Sequence, residues 1–221
     1  MGRTVLITGA NRGIGLEMCR QLAARGDRVI AACRTTSGQL DSLEVRVEEG
    51  VDVTSEDSVA SLVRRLEGQT IDVLVNNAGL LTRESLESMD FAAIRLQYEV
   101  NAIGPLRVTH ALLPNLGAGA KVGLITSRMG SIADNSSGSR YGYRMSKVAL
   151  NMAGVSLAQD LAERGIAVAI VHPGFVRTDM THHNGLIDPP EAASGIIDRL
   201  DGLSMANTGT FWHANGDILP W

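Results

Sequence analysis

Thr8-Gly9-Ala10-Asn11-Arg12-Gly13-Ile14-Gly15 follows directly on the apolar run Thr4-Val5-Leu6-Ile7. A short β-branched run that breaks into glycines and then into helical spacing is the pattern of a strand-to-helix turn. Glycine tolerates the tight backbone of such a turn and lets a pyrophosphate approach the positive end of the helix. The spacing is Gly-x-x-x-Gly-x-Gly rather than the Gly-x-Gly-x-x-Gly of the usual dinucleotide fingerprint. The cluster alone therefore also fits a plain loop, and its place after a first strand is what points to a dinucleotide.

Outward from this turn, Val/Ile-rich runs over 4–8, 28–33, 45–53, 71–76, 121–127, 167–172 and 209–214 read as strands. Their hydrophobicity is continuous rather than alternating, as in strands covered on both faces. Helical spacing of apolar residues occupies 13–25, 55–66, 91–113, 143–164 and 190–203, with Thr54 and Asp57 placed as a capping box and Pro190 near a first turn. This alternation predicts an α/β fold: one doubly wound, parallel, Rossmann-like sheet with helices on both faces, spanning 1–221 as a single domain. Ligands of such sheets bind beyond the carboxyl ends of the strands, so the chemistry belongs after Thr8, Asn76, Ser127 and His172. The least regular segments, 35–43, 128–140 and 175–188, include two that would border a substrate site.

The chain carries 20 basic against 24 acidic residues, a net charge of −4. That balance, with scattered arginines, argues against nucleic acid as a partner. No run reaches the ~20 apolar residues of a membrane span. The first strand starts so near Met1 that no signal peptide is expected, and Leu6 stands where a myristoylation motif needs Ser or Thr. A cytosolic protein is the expectation. Cys19 and Cys33 suggest neither a disulfide framework nor a zinc site; Cys19 falls on the apolar side of its helix.

Two residue sets carry chemistry. The first concerns the choice of cofactor. Enzymes that use NAD often place an acid at the end of the second strand for the ribose hydroxyls, but here that place holds Cys33, followed by Arg34. Arg34 and Arg12 are suited to the 2′-phosphate of NADP through charge-assisted hydrogen bonds, although two surface arginines need no ligand to explain them. NADP(H) is favoured, with NAD(H) as the alternative. The second set is Tyr143 and Lys147, four residues apart on one helix face, where an ammonium would favour the phenolate and suit the phenol to acid/base work. Tyr141 points elsewhere and is assigned to lining or packing.

Taken in order, Thr8–Gly15, Asn76-Asn77-Ala78-Gly79, Asn101, Ser127, Tyr143-x-x-x-Lys147 and Pro173-Gly174 make the chain resemble the short-chain dehydrogenase/reductase family over nearly its whole length. The run Ser127-Arg128-Met129-Gly130-Ser131, the start of the helix at Tyr143 and the closing Leu219-Pro220-Trp221 are most similar to the C-factor-like and sniffer-like carbonyl reductases. The resemblance implies that Ser127 polarises the substrate oxygen and Tyr143 passes it a proton. It further implies that Lys147 binds the nicotinamide ribose and lowers the tyrosine pKa, while Asn101 supports a water-mediated proton relay. Ser131 lies close by, but the end of the fifth strand favours Ser127.

For the cofactor, the resemblance implies contacts from Gly9, Asn11, Arg12, Gly13 and Gly15, with Ile14 on the diphosphate–nicotinamide side. Asp52 and Val53 would lie at the adenine, Asn76 and Gly79 near the adenosine ribose, and Thr178 at the carboxamide. Arg34, Ala78, Tyr143, Lys147, Pro173, Gly174 and Val176 complete the set. Each secondary position has a plainer reading as well: Asp52 caps a strand, Asn76 satisfies a turn, Thr178 starts a helix. A homodimer or homotetramer is expected by resemblance only. The segment after Thr178 is short, so a reduced substrate lid is expected.

His172, His182 and His183 lack the spacing of a helical metal pair and are read as solvated or packing residues, so no metal is assigned. Trp212, His213 and Trp221 either close one edge of the fold or join a subunit interface. The functional expectation is reduction of a carbonyl to an alcohol by NADPH. The competing reading is a nucleotide-responsive signalling protein of the C-factor type with little turnover, and a third is alcohol oxidation by NAD+.

Overall fold

Residues 2–221 are described by a computed structural model. The opening apolar run forms β1 (Thr4–Thr8), flanked by β2 (Arg28–Ala32) and β4 (Val73–Asn76). With β3 (Arg46–Glu48), β5 (Lys121–Ile125), β6 (Ala167–His172) and β7 (Phe211–His213) they build one sheet in the order β3-β2-β1-β4-β5-β6-β7, every pair parallel. The winding direction reverses between β1 and β4, which opens a crevice at their carboxyl ends.

The strands read as continuously apolar because alternate residues serve two separate cores. Leu6, Ile30, Leu74, Leu124 and Ile170 face one side, where they meet α3 (Glu56–Arg65), α5 (Gly104–Ala111) and α6 (Tyr141–Asp160) through Leu62, Val108 and Leu150. Val5, Ile7, Val29, Val75 and Val171 face the other, against α1 (Gly13–Ala24) and α7 (Pro189–Asp201) through Met18, Cys19, Leu22, Ile196 and Leu200. Each such side chain contributes about 1.5–3 kcal/mol when fully buried. Phe211 of β7 stacks on Trp221 at 5.3 Å and Trp212 lies under Arg199, so the terminal aromatics close the β7 edge.

Several boundaries differ from the sequence expectation. The third strand is only Arg46–Glu48, because Gly50 (φ +75°) turns the chain and the Val51 N–H returns to the Cys33 carbonyl. Ser55, not Thr54 with Asp57, caps α3: its hydroxyl accepts the Ser58 N–H, while Thr54 donates to Asp52. A single-turn helix, α2 (Gly38–Asp41), is started by Ser37 in a segment read as irregular. The helix expected over 91–113 is α4 (Phe91–Tyr98), a widened π-helical turn over Glu99–Ile103, and then α5. Pro105 explains the break. It has no N–H to meet the Asn101 carbonyl, which is therefore left without its α-helical donor.

Candidate active site

The glycine turn is shaped by backbone contacts that admit no side chains. Gly9 (φ +66°) packs so closely on the turn after β4 that a Cβ would stand 2.8 Å from the Ala78 Cα, and one on Gly15 would stand 2.3 Å from the Gly9 carbonyl oxygen. The Thr8 hydroxyl receives the N–H groups of Asn77 and Ala78, and the Asn77 amide donates to the carbonyls of Thr8 and Gly9. Asn77, given no role by the sequence, thus ties the two halves of the crevice together. Arg12 enters α1 extended and gives no side-chain cap, so the first-turn amides around Gly13, Ile14 and Gly15 are met by no capping side chain. Side-chain-free backbone with uncapped amides at the positive end of a 12-residue helix fits the pyrophosphate of a dinucleotide.

Around this turn the expected cofactor residues divide. Asn11 is tied to the loop after β2, its amide donating to the Thr35 carbonyl at 2.8 Å while its own carbonyl accepts the Ser37 hydroxyl. Arg34 is exposed on that loop, and Arg12 reaches across to Asp179 at 3.6 Å. One carboxylate oxygen of Asp52 accepts both the N–H and the hydroxyl of Thr54, which holds its pKa low, with burial opposing and Arg34 and Arg107 adding to the effect. Val53 packs on Gly104 and its carbonyl accepts from Arg107. The side chain of Asn76 is turned inward to the Thr109 hydroxyl, and the residue is 2 % exposed. Gly79 faces Asn101 and Met180. Beyond β6, Pro173 leads into Gly174 (φ +96°), the Val176 carbonyl accepts the Thr181 hydroxyl, and the Thr178 N–H donates to that same hydroxyl at the start of a single helical turn.

Ser127, Tyr143 and Lys147 converge at the carboxyl end of β5. Ser127 begins a short turn and accepts the Met129 N–H, with its hydroxyl facing the Tyr143 phenol. Lys147, one helical turn beyond Tyr143 on α6, donates to the Ile125 carbonyl at 2.8 Å and holds its ammonium 5.6 Å from the tyrosine ring centre. Asn101 is fully buried. Its amide donates to the Leu80 carbonyl and the Ser146 hydroxyl, and its oxygen accepts the Leu80 N–H. Its side chain is therefore a clamp between Leu80 and α6.

Burial dominates the electrostatics of this pocket. Burial pushes the Tyr143 phenol up to about 12, opposed by the Ser127 hydroxyl and then by the Arg140 charge; burial pushes Lys147 down to about 7. His172 beside them is neutral, held down to about 3 by burial and by the charges of His213, Arg128 and Lys147, and its buried Nδ1 has no partner among the described residues.

A family model described as short chain dehydrogenase matches residues 3–186. The 1-hydroxy-2-glutathionyl-2-methyl-3-butene dehydrogenase of Rhodococcus sp. (strain AD45) is 43% identical over 224 residues, covering 99% of each chain. C-signal of Myxococcus xanthus is 43% identical over 154 residues, 68% of this chain and 93% of that one. Among solved structures, an NADPH-bound carbonyl reductase from chicken fatty liver matches with a TM-score of 0.88 at 30% identity, covering 100% of this chain and 99% of that one.

Proposed function

This chain belongs to the short-chain dehydrogenase family, and we propose that within it the protein reduces a carbonyl to an alcohol with NADPH, Tyr143 giving the proton. The observation that carries the reading is the buried convergence of Ser127, Tyr143 and Lys147 at the carboxyl edge of the sheet, the edge that also carries the glycine turn. When bound, the dihydronicotinamide supplies the hydride. Gly9, Gly13, Ile14 and Gly15 would hold its pyrophosphate, and Arg12 and Arg34 would take the 2′-phosphate; the NADPH bound to the chicken reductase supports that choice.

With a phenol held near 12, Tyr143 keeps its proton at neutral pH, as a proton donor must. Ser127 and Tyr143 together hydrogen-bond the substrate oxygen, and charge developing there is met by donors already in place. As the phenol gives up its proton, the Lys147 ammonium one helical turn away stabilises the phenolate. Asn101 would support a water-mediated relay through which the proton is replaced.

Titration with NADPH and NADH, followed by a panel of ketones, aldehydes, quinones and sugars with loss of cofactor absorbance as the signal, tests the reading. Turnover lost in Tyr143→Phe supports it, and turnover retained there overturns it. The Rhodococcus relative, a dehydrogenase of a 1-hydroxy compound by name, favours a second reading in which an alcohol is oxidised. Faster turnover of alcohols with NAD+ would select it. Tight NADPH binding without turnover in either direction would instead favour a signalling role like that suggested by the C-signal relative.

A further inference from the structure

We propose that the substrate carries an anionic group, a carboxylate or similar oxyanion, and that Arg140 binds it at the mouth of the site; the inference rests on the carbonyl-reductase reading above. Gly138, Ser139 and Arg140 lie in succession in the left-handed region, at φ +61°, +52° and +52°. Two side-chain-bearing residues there cost about 1–2 kcal/mol each and persist only where their surroundings impose them. The imposing group is Glu84, which is buried: its carbonyl takes the Arg140 N–H at 2.8 Å and its carboxylate takes the Gly142 N–H and the Gln97 amide. Arg140 is thereby fixed just before α6, three residues ahead of Tyr143.

The Arg140 side chain is half-buried, and among the described residues it makes no ion pair and no side-chain hydrogen bond. Arg83, next to Glu84, is likewise without a side-chain partner among the described residues but is exposed, while three other arginines are engaged. Arg144 donates to Ser137 and to the carbonyls of Gly138 and Ser139, Arg128 pairs with Asp134, and Arg177 pairs with Asp188. Glu84 is already bonded by Thr82, Gln97 and Gly142. The Arg140 charge reaches the Tyr143 phenol, and those of Arg128 and Lys147 reach His172. A half-buried guanidinium without a protein partner selects a ligand of the opposite sign.

The test compares 4-carboxybenzaldehyde with 4-methylbenzaldehyde under NADPH. The wild type is expected to favour the acid roughly ten- to hundredfold in kcat/KM, the range of a charge-assisted contact. Arg140→Gln should abolish that ratio through KM, and Arg140→Lys, with the same backbone strain, should keep part of it. Any effect of Arg140 on Tyr143 falls on both aldehydes alike, so the ratio isolates anion binding. Equal kcat/KM for the two in the wild type, or a preference that survives Arg140→Gln, overturns the proposal. If neither aldehyde turns over, the reductase reading has failed separately. Calorimetry of benzoate against benzamide on the NADP+-loaded protein then decides: benzoate binding that Arg140→Gln removes supports the inference, and no benzoate preference in the wild type overturns it.

Discussion

The pocket of Ser127, Tyr143 and Lys147 and the loops carrying Arg12 and Arg34 lie at the same edge of the sheet and are built on opposite principles. In the pocket, Tyr143 is 9 % exposed and Lys147 4 %, and protein groups alone fix Lys147 and Ser127. On the loops, the backbone is tied down by Asn11 and Ser37, while Arg34 is exposed and the Arg12 side chain is 68% exposed in a pair with Asp179. Chemistry needs groups held in place before the substrate arrives. Recognition of a phosphate tolerates side chains that organise around it, because the charge they meet is large and reachable from many rotamers.

Four measurements break or sharpen this contrast. Tyr143→Phe should lower kcat by about 10²–10⁴ while the NADPH dissociation constant stays within a few-fold; a comparable loss of binding would make the pocket part of the cofactor site. The next effect follows from Lys147, whose folded pKa of about 7 lies below its ordinary 10.5. Between those values the unfolded chain holds the extra proton. Wild-type stability relative to Lys147→Met should therefore rise with pH from 7 towards 10, at up to about 1.4 kcal/mol per pH unit. Denaturant midpoints across that range would show it, and a flat difference would mean that Lys147 stays charged in the folded protein.

Gly15→Ala brings a methyl against the Gly9 carbonyl. It should cost about 1–3 kcal/mol of stability in thermal unfolding and weaken both cofactors together. Arg34→Ala is the smallest change: about a tenfold rise in the NADPH dissociation constant, with NADH little affected. An equal loss for both cofactors would place Arg34 on the shared part of the dinucleotide.

The legibility of the sequence follows the same division. Strand positions were readable because both faces of each strand are buried, so the apolar runs survive in the linear pattern. Tyr143 and Lys147 were readable because four residues on a helix is a local relation. The helix over 91–113 was read as unbroken, since Pro105 also suits a first helical turn, and only the packing of Asn101 against Leu80 and Ser146 makes the widened turn visible. Asn76 and Asn77 are adjacent and chemically identical, so nothing local told which would turn inward to Thr109 and which would clamp the glycine turn.

The sequence by itself determined the doubly wound order of strands and helices and the kinds of residue at the reacting centre, because periodicity and short spacing are local properties. Tertiary structure alone decided that the phenol is held near 12 and the lysine near 7, and that the Arg140 side chain has no partner among the described residues. Protonation and pairing depend on how much water is excluded and which distant groups remain. Those quantities are set by contacts such as Glu84 to Arg140 and Lys147 to Ile125, between residues far apart in the chain.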